Sequence, residues 1–333
     1  MDNSNAFRNK LAVIKSHQMK KSHQMKNGHK QSRRDFISKV TVASAAGAAL
    51  TTGIIACNNE EDKLSMKPVA INSGKSKAEL KKYEKSNFST GNGYHVGVVC
   101  LNQNMPFIPG DVQCASTFDF PIIYKVALEG TSAKILDADP GMGNWLKETA
   151  IGLEKRGVKA LTGDSGYMLP YQKNIAKAIN IPIALSSLVQ IPFVGSMFDQ
   201  NKTVAIVCAA SPPLDVKTLE NFGVGINNNL VVYGMQDDPA VVEIMFRAVN
   251  IASHGTVGDA DAAPAPFDAD RLAESFYQMG VFLKKKYPNL GGVILECSDF
   301  PPYAAAMQAG IDGLPVFDFI GIINLLESGT RDY

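Results

Sequence analysis

The feature that most constrains this chain is a set of short, uncharged, β-branched runs alternating with helical patterns through its last 240 or so residues. Tyr94–Leu101, Val158–Thr162, Ile181–Leu185, Thr203–Cys208, Leu230–Tyr233 and Gly292–Leu295 are such runs, and each is followed by Gly, Ser, Asn, Asp or Pro. Between them Met142–Arg156, Tyr171–Ile179, Pro213–Phe222, Pro239–Ile251, Ala269–Lys286 and Pro302–Ala309 fit helices. Near-continuous apolar strands separated by helices specify a parallel sheet covered on both faces. The expected fold class is therefore α/β, in two related halves. The expected division is a first half over 94–200, to which 311–333 returns, and a second half over 201–310.

Charge divides the chain at a different place. The 333 residues carry a formal net charge of +1, which suggests no charge preference. Residues 1–92, however, hold 17 Lys+Arg against 7 Asp+Glu, and the remainder holds 16 against 25. An acidic body offers no electrostatic footprint for nucleic acid. The basic leader repeats a hexamer, Lys15–Lys20 and then Lys21–Lys26, with no apolar periodicity, so it has no face to bury. His17, His23 and His29 recur every six residues, which does not place them on one helical face to hold a metal.

Ser32-Arg33-Arg34-Asp35-Phe36-Ile37-Ser38-Lys39 then precedes an uncharged stretch, Val40–Ala56, which ends at Cys57. That stretch is short and weakly apolar for a spanning helix, which needs roughly 20 apolar residues. A charged region, a short apolar region and small residues before a break describe an export signal. The segment resembles a twin-arginine signal, and its end resembles a bacterial lipobox. The resemblance implies passage through the twin-arginine export machinery, with 1–57 as signal and Cys57 as the lipidated residue. A membrane-anchored protein on the periplasmic side follows from it. The polar segment 58–93 is then a tether.

In open α/β sheets a ligand sits beyond the carboxyl ends of the strands. The residues there are Asn102–Asp111, Gly163–Tyr167 and Glu296–Tyr303. None has phosphate-loop spacing, and Gly223-Val224-Gly225 lacks the third glycine of a dinucleotide loop. Cys100 and Cys208 lie in apolar strands and are expected in the core, and Cys114 falls in a loop. Cys297 follows a strand and precedes a helix start, where a thiol is expected to be acidified. No Cys-x-x-Cys pair suggests zinc or a redox couple. Asp259, Asp261, Asp268 and Asp270 lack EF-hand spacing; Asp268 reads as a helix N-cap, and Lys284–Lys286 as a solvated helix end.

Five stretches together carry a family resemblance: Gly97–Asp111, Ala160–Gln172, Leu185–Pro192, Leu295–Tyr303 and Leu314–Asp318. In order and spacing the body resembles the aspartate/glutamate racemase family, across nearly all of 94–320. The resemblance implies two flavodoxin-like halves facing across a cleft. It implies cofactor-independent proton transfer at the carbon α to a carboxylate, with one cysteine from each half serving one face. Cys297 stands at the second cysteine, and Ser165 replaces the first. Ser298 stands at the hydroxyl that holds a carboxylate, and Asp299 at a position where some members have a histidine. Asn102, Thr162, Asp164, Gly166 and Ser186 are expected around the substrate, an amino acid or related small acid. No metal and no cofactor are expected, and a homodimer is compatible with the family. The serine at 165 leaves two further readings: a substituted-malonate decarboxylase in which Cys297 donates the proton, or a lipoprotein that binds an amino acid or dicarboxylate without catalysis.

Overall fold

The computed structural model describes residues 93–330, apart from Asn104, Ala138, Asp215, 222–228 and 247–266. The signal, Cys57 and nearly all of the tether lie outside the described residues, as do Gly223–Gly225, His254, Asp259 and Asp261. Among the described residues no helix is long and apolar enough to cross a membrane.

Eight strands form two parallel four-stranded sheets. The first contains β1 (Val96–Leu101), β2 (Ile122–Ala127), β3 (Ala160–Gly163) and β4 (Ile183–Ala184), in the order β2-β1-β3-β4. The second contains β5 (Thr203–Cys208), β6 (Asn229–Gly234), β7 (Leu290–Leu295) and β8 (Val316–Phe317), in the order β6-β5-β7-β8. The two orders are the same, so the expected α/β class and related halves are observed. Every residue of β1, β5 and β7 is buried. Such strands are covered on both faces and need continuous apolar runs, which is why their sequence signal is strong.

Parallel neighbours need crossovers, and the helices supply them. They are α1 (Ser132–Leu136), α2 (Met142–Glu154), α3 (Gln172–Ala176), α4 (Ile191–Ser196), α5 (Val216–Asn221), α6 (Ala269–Lys286), α7 (Ala304–Gly310) and α8 (Phe319–Thr330). Helix α2 buries Met142, Leu146, Ala150 and Leu153 beneath the first sheet, against Val99 and Leu161. Helix α6 begins at the expected cap, where the Asp268 carboxylate accepts from Arg271 N–H (3.0 Å).

Four expectations change. The strand Ile122–Ala127 has no counterpart among the predicted runs. It is a sheet edge, and Lys125 interrupts its apolar pattern where one side is solvated. The predicted helix Pro239–Ile251 is a π-helical turn over Val241–Phe246 as far as it is described. The predicted Tyr171–Ile179 helix is a 3-10 segment, Gly166–Tyr171, followed by α3. Chain return to the first half begins later than residue 311, because β8 still pairs with β7 (Val293 with Val316). Helix α8 makes the return, burying Phe319 and Ile323 with Val96, Val98 and Cys100 of β1.

Helices α6 and α7 cross at two glycines. A Cβ on Gly310 would lie 2.3 Å from Tyr277 O, and one on Gly280 would lie 2.8 Å from Met307 O. Backbone cannot yield as a side-chain tip can. This crossing also sets the chain after β7, because Phe276 of α6 packs edge-on to Phe300 (4.7 Å between centroids) and stacks on Tyr303 (5.0 Å). We expect Gly310→Ala to destabilise the fold by about 1–3 kcal/mol, the usual cost of overpacking a tight contact. Urea denaturation of the variant against the parent measures it, and an unchanged midpoint would contradict the close approach.

Candidate functional site

The carboxyl ends of the central strands of both sheets, β1, β3, β5 and β7, converge on a cleft of about 820 Å³, partly open to solvent. The strand-end loops contribute Leu101 and Gln103, Asp164, Ser165 and Tyr167, Ala209 and Ala210, and Cys297–Phe300. Ser132, Ile135 and Leu136 from α1, with Met245 and Phe246 from the π-helical turn, complete the wall. The lining is mostly apolar, and among the described residues it holds no Lys, Arg or His. The active polar atoms are a thiol, hydroxyls, one amide and carboxyl groups.

Of the residues singled out in the sequence, Cys297, Ser165, Asp299, Asp164 and Ser298 meet here. The Cys297 thiol donates to Asp299 Oδ2 at a long 3.8 Å. Ser298 Oγ donates to Asp164 O (2.5 Å) and leans toward Asp299 Oδ1 (3.2 Å), tying the β7 loop to the β3 loop. Both oxygens of Asp164 accept from Leu101 N–H, at 3.1 and 2.9 Å. That carboxyl closes the β1 and β3 ends together rather than standing free.

Three expected substrate contacts point elsewhere. Asn102 is exposed and donates to Leu128 O (2.8 Å). Thr162 is buried within the sheet, and its hydroxyl donates to Ala184 O (2.8 Å). Ser186 is buried and accepts from Leu188 N–H, capping a 3-10 turn. Each lies at a strand end, but its hydrogen bond is spent on the scaffold. Gly166 serves by being small: a Cβ there would lie 2.1 Å from Glu296 Oε1.

Sequence reading gave no role to Glu296, Tyr167 or Asp111. Glu296 is fully buried directly after β7, and its Oε2 accepts from Ala209 N–H (3.1 Å). The N–H groups of Gly166 and Tyr167 point at the same carboxyl, while Oε1 has no partner at hydrogen-bonding geometry. Its carbonyl accepts from Ser187 Oγ (2.9 Å). The Tyr167 hydroxyl both accepts from Ala210 N–H (2.6 Å) and donates to Ala210 O (2.7 Å). The Ser187–Glu296 and Tyr167–Ala210 contacts run from loops of one sheet to loops of the other. The one signal in the sequence was a charged residue set between an apolar strand and a cysteine.

The electrostatics overturn the expected acidified thiol. The chain after Cys297 forms a 3-10 segment, Pro301–Tyr303, that runs into α7, and the Asp299 N–H lowers the thiol's pKa by less than burial raises it. Burial, then the carboxylates of Asp299 and Glu296, push the Cys297 thiol well above its ordinary value. Burial also raises Asp164, Asp299, Glu296 (to about 8) and Asp111 (to about 10), with Asp299 adding to the shifts of Glu296 and Asp111. The resting site thus holds more protons than these groups would hold in water. Cys100 and Cys208 are buried in the core as expected, and Cys114 is partly exposed beside Ser116 Oγ (3.1 Å). Among the described residues no group of three or more His, Cys, Asp or Glu is arranged to hold a metal.

No family model matches the chain. Among curated proteins it is 26% identical over 245 residues to a dimethylsulfoniopropionate lyase of Durusdinium sp. clade D, spanning 71% of this chain and 75% of that protein. It is 28% identical over 192 residues to dimethylsulfoniopropionate lyase 5 of Emiliania huxleyi (strain CCMP1516), spanning 56% of this chain but 36% of that protein. Among solved structures, a glutamate racemase from Bacillus anthracis superposes with TM-score 0.46 at 11% identity, covering 72% of this chain and 84% of that one. An arylmalonate decarboxylase variant superposes with TM-score 0.41 at 13% identity, covering 70% and 93%.

A buried acid that holds its proton links stability to pH. The folded pKa of Glu296, about 8, lies above the unfolded value near 4.5. Its stabilising effect is therefore full below about pH 4.5 and is lost as pH rises through about 8. We expect Glu296→Gln to flatten the decline in folding free energy over that window, measured by urea denaturation across pH. An unchanged slope would show that the carboxyl is ionised throughout.

Proposed function

We propose that the cleft removes a proton from the carbon α to a carboxylate, with Cys297 and Asp299 acting as one acid–base pair, and that the reaction is a β-elimination. The observation that carries this is the asymmetry of the cleft: a thiol–carboxylate pair on the β7 loop, against the Ser165 hydroxyl on the β3 loop, whose Asp164 and Tyr167 are bonded to Leu101 and Ala210. Racemisation needs bases on both faces of the carbon. Elimination needs one base and a leaving group, so a serine at 165 does not impair it.

A β-sulfonio carboxylate such as dimethylsulfoniopropionate fits this chemistry, and the lyase names of the curated relatives support it. The α-proton passes to the Cys297 sulfur, and the C–H electron pair becomes the new C=C bond. The C–S bond breaks with its pair on sulfur, so that dimethyl sulfide leaves and acrylate remains. Before that step the thiol proton moves to Asp299, whose Oδ2 it faces at 3.8 Å. A sulfonium cation entering a cleft without Lys, Arg or His lowers the pKa of the thiol, because an opposite charge favours the ionised form. Ile135, Met245 and Phe246 offer its methyl groups an apolar wall. Ser165 and the second Nε2 N–H of Gln103 are the donors for the substrate carboxylate, since the Ser132 and Ser298 hydroxyls already donate to Gln103 Oε1 and Asp164 O. Gln103 is held in place by Ser132 Oγ on its Oε1 (2.5 Å) and by its own Nε2 on Gln113 Oε1 (2.8 Å).

The raised Cys297 pKa favours a second reading. A thiol that keeps its proton is suited to protonate a carbanion left when a substituted malonate loses carbon dioxide. Full-length protein in deuterium oxide, supplied separately with dimethylsulfoniopropionate, substituted malonates and both enantiomers of Asp and Glu, separates the two readings. We expect acrylate and dimethyl sulfide from the first, falling about 10²–10⁴-fold in Cys297→Ala, the usual contribution of a general acid–base group. With Asp or Glu we expect at most α-deuteration without inversion. Decarboxylation without elimination transfers the assignment to the second reading, and tight binding without turnover of any substrate sinks both.

The proposal extends to location: export by the twin-arginine machinery and anchoring through Cys57. Expressed in a bacterium fed an alkyne-tagged fatty acid, the protein should carry the tag, and Cys57→Ser should lose it. Pairing Arg33→Lys with Arg34→Lys should hold the protein in the cytoplasm. An untagged parent protein would refute the anchor.

A further inference from the structure

The cleft has two chemically different parts. The strand-end loops carry its thiol, hydroxyls and carboxyls, whereas Ile135 and Leu136 of α1 and Met245 and Phe246 of the π-helical turn make a wall with no charged group. Met245 and Phe246 are consecutive, yet both line the cleft. In an α-helix successive side chains diverge by roughly 100°. A π turn, closed by i→i+5 bonds, is wider and brings neighbouring side chains closer to one face.

The turn is clamped to α6. Asp238 Oδ1 accepts from Ala240 N–H (2.9 Å), from Val241 N–H (3.0 Å) and from Ser275 Oγ of α6 (2.9 Å), which fixes the start of the turn. Arg271 Nη1 of α6 donates to Glu243 Oε2 (2.7 Å). Met245 is 3% exposed, so it has little room to turn away from the cleft.

Such a wall discriminates between cations. A primary ammonium carries three N–H donors, and each needs an acceptor once water is displaced. Among the described residues most acceptors around the cleft are committed. Asp164 gives both oxygens to Leu101 N–H, Gln103 Oε1 takes Ser132 Oγ, and Ala210 O takes the Tyr167 hydroxyl. Asp299 and the Ser165 hydroxyl remain, and both belong to the strand-end loops rather than to the wall. A fully methylated cation has no N–H to satisfy. It offers methyl groups to the wall, and its charge is attracted to the face of an aromatic ring such as that of Phe246.

We infer that Met245 and Phe246 are specificity-determining residues: they make the cleft take small carboxylates whose cation is fully alkylated, a sulfonium or a quaternary ammonium, and reject those whose cation is a primary ammonium. The inference rests on the zwitterionic substrate proposed above, but binding alone reads it.

The probes are 3-(trimethylammonio)propionate and β-alanine, which share a carbon skeleton and differ in the N–H groups of the cation. Calorimetric titration of the full chain with each gives the ratio of their dissociation constants. We expect the methylated probe to bind at least about tenfold more tightly, since one or more donors of β-alanine go unmatched. Met245→Gln and Phe246→Gln each place an amide carbonyl on the wall, and each should narrow that ratio by at least about threefold. Thermal melts accompany the titrations. If Met245→Gln melts early, Phe246→Gln, at a partly exposed position, decides alone. A smaller ratio in the parent, binding of neither probe, or less narrowing in a folded variant overturns the inference. Acrylate release by a parent that does not discriminate leaves the elimination reading standing and this inference fallen; selective binding without turnover of any substrate does the reverse.

Discussion

The site depends on carboxyl groups buried between two sheets with no basic partner among the described residues. Glu296 shows how this is achieved. Its side chain is fully buried at the end of β7, yet it receives Ala209 N–H from the β5 loop and faces the N–H groups of Gly166 and Tyr167 from the β3 loop. A buried polar group without such donors is costly, whereas backbone N–H groups at strand ends need acceptors. Each therefore satisfies the other. The consequence is mechanical as well as electrostatic, since one side chain ties the loops of both sheets around the cleft. Gly166 is part of the same constraint, because a side chain there would occupy the space of the carboxyl.

From that constraint the thiol's character follows. Cys297 is adjacent in sequence to Glu296 and two residues from Asp299, so it cannot escape their field. Helix N-termini lower thiol pKa values, but the segment after Cys297 is held as a short 3-10 turn by Pro301 and Pro302 and by the packing of Phe300 and Tyr303 on Phe276. The thiol's pKa is therefore set by burial and by the carboxylates of Asp299 and Glu296, which outweigh the Asp299 N–H. Activation must come from elsewhere, through transfer of the proton to Asp299 and through the charge of whatever enters.

Much of the fold was legible because burial on both faces forces β1, β5 and β7 into uninterrupted apolar runs. The missed strand, β2, lies at an edge, where its middle residues are only partly buried and Lys125 breaks the apolar run. The two-residue β8 is too short to have a pattern at all. Within the site, Cys297, Ser298 and Asp299 were legible because they are consecutive and follow a clear strand. Glu296 was not, since its meaning comes from partners such as Ala209 far along the chain. Asn102, Thr162 and Ser186 erred in the opposite sense. They sit at the correct strand ends, but a side chain at such a position can bond to the scaffold as readily as to a ligand, and backbone partners within 3 Å decided it for Asn102 and Thr162.

The charge pattern of the cleft also bears on what it admits. Amino-acid carboxylates are most simply held by a guanidinium or an ammonium, and none lines this wall among the described residues. A doubly negative substrate would meet Asp164, Asp299 and the buried Glu296 and raise their pKa values further, driving the thiol deeper into its protonated form. A zwitterion whose cation sits near those carboxyls does the reverse. It lowers the thiol pKa at the moment of binding, while its single carboxylate needs only the neutral donors Gln103 and Ser165. The substrate then supplies the positive charge that the protein leaves out, and an empty cleft keeps its thiol protonated and poorly reactive. That coupling gives a physical reason for an acidic, cation-free site to be paired with a substrate that carries its own leaving cation.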